Sequence, residues 1–222
     1  MEIFIHAYCT LDYGKSIIEK LRKIRVSGLL LECDKINILV LGMRQSDKVF
    51  FEGIKGISDK IQIFELEPEF KNECDSLNFI RKYLERYNHN IPVLYLHTKG
   101  ITQIHPIIKR NVNLWTRYME YWNIGRWKEN LKLLKEHDTL GGLYVGGNIS
   151  HYQGNFWWAN SDFLKTLPSI TKENIANLNR GEFWFSLNTS MKPCDVNDVQ
   201  FPQGHDFYQH YYIKENYFPQ GF

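Results

Sequence analysis

The chain has 222 residues, 43% of them hydrophobic and 23% charged, with a formal net charge of +2. That balance suits a folded protein large enough to bury a substantial core, and it excludes a disordered, highly charged chain. It provides no global basic field to recruit nucleic acid or a membrane surface, so any anion must be bound locally.

No apolar run approaches the roughly 20 residues that span a bilayer. The amino terminus, MEIFIHAY, enters a strand directly, without a basic stretch and a long apolar region. Cys9, Cys33, Cys74 and Cys194 stand far apart with no C-x-x-C pair, which predicts separately packed, reduced thiols and a cytoplasmic location. Aromatic residues make up 15%, with six Trp and thirteen Tyr. Such rings serve equally as core and as platforms for sugars or bases.

In chain order, residues 3–7 form a short apolar strand, and a helix follows from about Lys15 with Ile17, Leu21 and Ile24 on one face. Residues 36–41 (INILVL) and 61–66 (IQIFEL) are the next strands. Asp75 and Ser76 offer N-caps to a helix whose Leu77, Ile80, Leu84 and Tyr87 repeat at helical spacing. Residues 88–92 stop it, and 93–96 form a fourth strand. Strands alternating with crossover helices predict an α/β fold with a mostly parallel sheet, whose ligands gather at the carboxyl ends of the strands. The second half carries a stripe of Val112, Trp115, Met119 and Trp122, interrupted at Gly125 and resumed by Trp127, Leu131 and Leu134. A glycine-punctuated aromatic stretch then predicts a strand over 154–159 and a short helix over 161–167. From Lys192 the tail has weak periodicity. With no repeat or linker, the chain reads as a single domain over 1–222 with an elaborated carboxyl-terminal half.

Three tempting motifs fail on spacing. Gly14-Lys15-Ser16 follows a strand, but Cys9 stands where a phosphate-wrapping loop needs glycine. "GGLYVGG" lacks the dinucleotide-binding spacing. The histidines form no i, i+4 pair of the zinc-protease kind, so no metal site is assigned. What stands out is "VLYLHTKG", residues 93–100: a buried strand that breaks into His97, Thr98, Lys99 and Gly100, two basic side chains, a hydroxyl and a glycine at one strand end.

"VLYLHTKG", the helix with Trp115, "GNFWWANSDFLKTLP" and "NRGEFWFS" together resemble a family of viral and bacterial glycosyltransferases. That family has a GT-A-like, nucleotide-diphospho-sugar transferase fold and is found with capsular or surface polysaccharide genes. The resemblance runs from the first strand to about Ser186. It implies a nucleotide-sugar-binding half over 1–100, an acceptor-side half over 101–222, and as partners a nucleotide-diphospho-sugar donor and a glycan acceptor.

It also implies roles for particular residues. The end of the first strand, with Ala7, Tyr8 and Thr10, would contact the donor's base and ribose. The fourth strand would end in a D-x-D motif holding manganese or magnesium on the diphosphate. Here that place reads His97-Thr98-Lys99, so the divalent cation loses its expected ligands, and Lys99, Thr98 and Gly100 are the groups expected to meet the diphosphate. Asn155, with Trp157 or Trp158, would form the floor beneath the sugars, although consecutive strand residues point to opposite faces. Glu182 is the candidate general base, with Asp162, Asp195 and Asp198 as competitors. Arg180 would pair with Glu182 or reach phosphate, and His205 would close over the diphosphate. The missing D-x-D keeps open a second reading, a nucleotide-sugar- or carbohydrate-binding module without catalysis.

Overall fold

A computed structural model describes residues 1–10, 13–197 and 206–210. The elements are β1 (Glu2–Tyr8), α1 (Tyr13–Val26), α2 (Leu29–Glu32), β2 (Lys35–Leu41), α3 (Lys48–Lys55), β3 (Ile61–Leu66), α4 (Glu73–Leu84) and β4 (Pro92–His97). There follow α5 (Pro106–Glu120), a π-helical turn (Tyr121–Gly125), α6 (Trp127–Leu133), β5 (Thr139–Gly141), β6 (Tyr144–Val145), β7 (His151–Tyr152), β8 (Trp157–Asn160), α7 (Ser161–Thr166) and β9 (Pro193–Asp195).

Seven strands form one sheet in the order β3-β2-β1-β4-β8-β5-β9, with β8 antiparallel to both its neighbours and every other pairing parallel. The expected α/β fold with a mostly parallel sheet is therefore what the chain adopts. From β1 the chain steps outward through β2 to β3, then returns to lay β4 on the other flank of β1. Strand order reverses between β1 and β4, and their carboxyl ends splay around a crevice.

Alternation along the strands feeds two cores. Ile3, Ile5, Leu94, Leu96 and Trp158 pack beneath α1, α3 and α5; Phe4, Val93, Tyr95 and Trp157 pack beneath α4 and α7. The aromatic excess is largely spent here. Tyr95 stacks on Trp157 with ring centroids 4.9 Å apart, and Trp157 in turn meets Phe185 at 4.9 Å.

Local details depart from the sequence expectations in three places. The N-cap of α4 is Asn72, whose side chain accepts from the Cys74 amide, while Asp75 sits at the third helical position and completes a capping box. The interruption at Gly125 is a π-helical turn joining α5 to α6 rather than a break. The aromatic strand begins at Trp157, because the segment before it turns through left-handed Gly154 and Asn155.

Trp158 is fully buried and donates its indole N–H to the Asn123 carbonyl at 2.9 Å. Trp158→Ala should cost about 3–5 kcal/mol of unfolding free energy in urea titrations. A loss below about 1 kcal/mol would mean that the indole is not packed in this core.

Candidate functional site

A cavity of about 760 Å³ opens at the reversal point, over the carboxyl ends of β1 and β4 and the amino terminus of α4. His6 and Tyr8 from β1, His97 from β4 and Glu73 from α4 line it, as do Lys99, Asn155 and Glu182 from the connecting segments. The strand ends are cross-tied at this point. The Thr98 amide donates to the His6 carbonyl at 3.0 Å, and the Tyr8 amide donates to Thr98 Oγ1 at 3.2 Å.

Glu73 is the hub. Its Oε2 accepts from Asn155 Nδ2 at 2.8 Å and from the Tyr95 hydroxyl at 3.1 Å. Its Oε1 lies 3.4 Å from His97 Nδ1. His97 Nε2 is 2.7 Å from the Gly154 carbonyl, which can only accept, so Nε2 carries the proton. Burial holds the His97 imidazole well below its usual pKa, leaving it neutral with Nδ1 bare. A bare nitrogen facing a carboxylate oxygen sets two lone pairs against each other, whereas a proton on Glu73 Oε1 joins them. Burial accordingly raises the Glu73 pKa to about 7, against the opposing pull of Lys99 and the donors from Asn155 and Tyr95. The carboxyl is therefore neutral in mildly acidic solution and ionises as pH rises through about 7.

Glu182 is held differently. Its Oε1 accepts from the Gly154 amide at 2.6 Å, and its Oε2 accepts from Asn179 Nδ2 at 2.9 Å. Gly154 has a φ of 83°, and a Cβ there would lie 2.4 Å from Met119 Sδ, so only glycine presents its amide to Glu182 and its carbonyl to His97. Lys99 stands over the Trp115 ring at 4.0 Å. Burial lowers its pKa, while Glu182 and Glu73 act to raise it.

The structure brings Tyr8, His97, Thr98, Lys99, Gly100, Asn155 and Glu182 to one cavity. Thr98 and Asn155 serve as ties. Asn155 both donates to Glu73 and accepts the Trp157 indole N–H at 2.8 Å. Gly100, with a φ of 74°, makes its close approach to Val112 on α5.

Other expectations are corrected. Trp157 and Trp158 are buried in the two opposite cores, and neither lines the cavity, because the pleat of β8 sends the two indoles to opposite faces of the sheet. Asp162 is exposed and paired with Lys165 at 2.7 Å. Antiparallel β8 carries the chain to the amino end of β4, the opposite edge of the sheet from the cavity. Asp195 accepts from the Leu143 and Tyr144 amides and fixes a turn. Ala7 is enclosed in the core, and Thr10 lies beyond the lining. His205, Asp198 and the side chain of Arg180 lie outside the described residues.

Sequence reasoning missed Glu73 and His6. A glutamate in a helix's first turn looks like a partner for the helix dipole. His6 is the polar interruption of an apolar strand, and that was its signal. Its Nδ1 lies 2.7 Å from Ser76 Oγ, and burial lowers its pKa to about 4.

A divalent cation does not fit this set. His97 uses both nitrogens internally, Thr98 Oγ1 caps the Tyr8 amide, and both oxygens of Glu182 accept from the chain. Among the described residues, no three His, Cys, Asp or Glu side chains are grouped to hold a metal ion.

No family model matches the chain, and no curated protein matches it. Solved structures similar to it include a galactosyltransferase, LgtC, in complex with donor and acceptor sugar analogues. That likeness has a TM-score of 0.49 at 11% identity and covers 88% of this chain and 73% of that one. A 4-diphosphocytidyl-2C-methyl-D-erythritol synthase from Anaerococcus prevotii is similar with a TM-score of 0.41 at 9% identity, covering 82% of this chain and 83% of that one. Both scores lie below 0.5, and neither likeness bears on activity or substrate. No helix among the described residues is long and apolar enough to cross a membrane.

Glu73 yields a signed pH dependence. Its pKa is raised from 4.5 when unfolded to about 7 when folded. The stability it contributes is therefore complete below pH 4.5 and is lost as pH rises through 7. Urea titrations from pH 4.5 to 8 should show the protein losing on the order of 3 kcal/mol relative to Glu73→Gln. Parallel profiles for the two proteins would mean that the carboxyl is ionised throughout.

Proposed function

We propose that the protein is a glycosyltransferase that moves a sugar from a nucleotide-diphosphate donor to a glycan hydroxyl, acting in the cytoplasm in surface or capsular polysaccharide synthesis. The observation that carries this reading is the meeting of Lys99 and Glu182 on one cavity at the point where strand order reverses. Leaving diphosphate needs its growing charge neutralised, and the acceptor hydroxyl needs a base. The ammonium of Lys99 supplies the first and the carboxylate of Glu182 the second.

In the reaction, the acceptor oxygen bonds to the anomeric carbon and its proton passes to Glu182. The bond from the anomeric carbon to the β-phosphate oxygen breaks, and its electron pair leaves with the nucleoside diphosphate beside Lys99. Glu73, in its protonated form, holds the walls of the cavity together. The motifs 93–100 and 154–168, which carry the family resemblance, supply the strand end and the turn that build this cavity.

Glu182→Gln keeps an acceptor for the Gly154 amide and removes the base. It should lower kcat by about 10²–10⁴-fold. The thermal shift produced by a panel of UDP-, GDP- and TDP-sugars should persist. Near-full turnover would remove Glu182 from this role. Stabilisation by a sugar nucleotide with no transfer or donor hydrolysis in the unaltered protein would favour the binding module.

Charge neutralisation by Lys99 makes a further demand. Transfer should continue in excess EDTA. Abolition that manganese restores would show that a metal does the work assigned to the lysine.

A further inference from the structure

A hollow of about 220 Å³ adjoins the first cavity. Asn179, Glu182 and Tyr208 line both spaces, so the Glu182 carboxylate stands in the wall between them. Each of its oxygens accepts one hydrogen bond from the chain, from the Gly154 amide and from Asn179 Nδ2. A carboxylate oxygen has a second lone pair, and this one can take a proton from a hydroxyl that enters through the hollow.

The hollow carries the aromatic surface that Trp157 and Trp158 withhold. Phe183 follows Glu182 directly in the chain, and its ring lies 4.7 Å from the His151 ring, tilted by 57°. Both are half-buried, so part of each ring stays uncovered. Behind them the wall is firm: Phe207 stacks on buried Trp115 at 4.8 Å, and Tyr208 meets the same indole edge-on at 5.5 Å. Ring faces of this kind receive the axial C–H groups of a pyranose. Polar groups stand beside them. His151 Nδ1 lies 2.9 Å from the Ile149 carbonyl, which can only accept, so in the neutral imidazole Nε2 is left as an acceptor for a sugar hydroxyl. Asp206 is exposed and accepts the Tyr208 amide at 2.8 Å.

Charge separates the two spaces. Lys99 lines the first cavity and not the hollow. Among the described residues, Glu182 and Asp206 line the hollow and no lysine or arginine does. An acidic sugar seated there would face two carboxylates with no lining cation. Size adds a limit. Pockets that enclose a drug-sized ligand run to roughly 300–1,000 Å³, so this hollow takes one sugar ring and leaves the rest of a glycan outside.

We infer that this hollow is the acceptor subsite and that it selects an uncharged terminal sugar ring, laid on Phe183 and His151 with one hydroxyl on Glu182. The inference deepens the proposed function and rests on the reading of Glu182 as the general base.

The test uses matched sugars that differ only at C6: glucose against glucuronate, and galactose against galacturonate. Affinities come from saturation-transfer NMR titrations of the intact protein, alone and with UDP, GDP or TDP. At least one neutral sugar should bind about fivefold more tightly than its acid. Phe183→Ala should weaken that sugar about three- to tenfold, while the thermal shift given by sugar nucleotides persists. Asp206→Asn keeps an acceptor for the Tyr208 amide and should narrow the gap between neutral sugar and acid. That position is exposed, so this variant decides the matter even where Phe183→Ala does not fold, which a circular-dichroism melt checks.

Acids binding as tightly as their neutral partners, no binding by any of the sugars, or a folded Phe183→Ala protein that keeps full affinity overturns the inference. So does an unchanged gap in Asp206→Asn. The sugar nucleotides separate this failure from that of the proposed function. If they stabilise the protein and are turned over while the free sugars ignore the hollow, the subsite fails and the transferase stands. If the sugars bind as expected and no nucleotide does, the acceptor role falls together with the donor reading. Displacement of the bound sugar by a stabilising sugar nucleotide would put the donor's own sugar in the hollow and overturn the inference.

Discussion

One carboxyl group joins the parts from which the principal cavity is built. Glu73 belongs to α4, yet its oxygens engage Tyr95 and His97 of β4 and Asn155 of the turn that precedes β8. Because His97 already gives its one proton to the Gly154 carbonyl, the contact between Glu73 and His97 needs a proton on the acid. Burial supplies the conditions for that protonation. Each member thus fixes the state of the next, from the helix end through the strand to the amide that seats Glu182. A network of this kind is worth more when complete than its separate bonds suggest, and it fails when one member is removed.

The first half of the fold was legible because its strands are almost wholly apolar. Residues 36–41 and 61–66 had only to be recognised as runs, and β2 and β3 fall within one residue of them. The β4 strand end was equally plain, since His97 to Gly100 break an apolar stretch in a single step. The second half resisted. Strands β5 and β9 have three residues each, too few for any period to appear, and they are recognised as strands only by pairing with partners distant in sequence.

The site was legible in part for a related reason. Lys99 stands where an apolar strand breaks abruptly, Glu182 was singled out by the family resemblance of its segment, and both reach the cavity. The tryptophans misled because the same flat surface that suits a sugar ring suits Tyr95 or Phe185 equally well. Asp162 misled because sequence proximity to an aromatic strand says nothing about its direction, and β8 runs backwards. Glu73 escaped because its significance lies entirely in tertiary partners 22 and 82 positions away.

The turn from Lys99 to Ile101 lines the principal cavity on one side and a cleft of about 500 Å³ between α1 and α5 on the other. At its crest Gly100 presses so closely on Val112 that a Cβ would lie 2.2 Å from Val112 Cγ1. The crest is therefore wedged against the middle of α5, a helix that also furnishes one wall of that cleft. A displacement of that helix carries the partition with it and reshapes both compartments together. Any coupling that ligands in the two chambers exerted through this shared crest would be reciprocal, equal in strength in both directions.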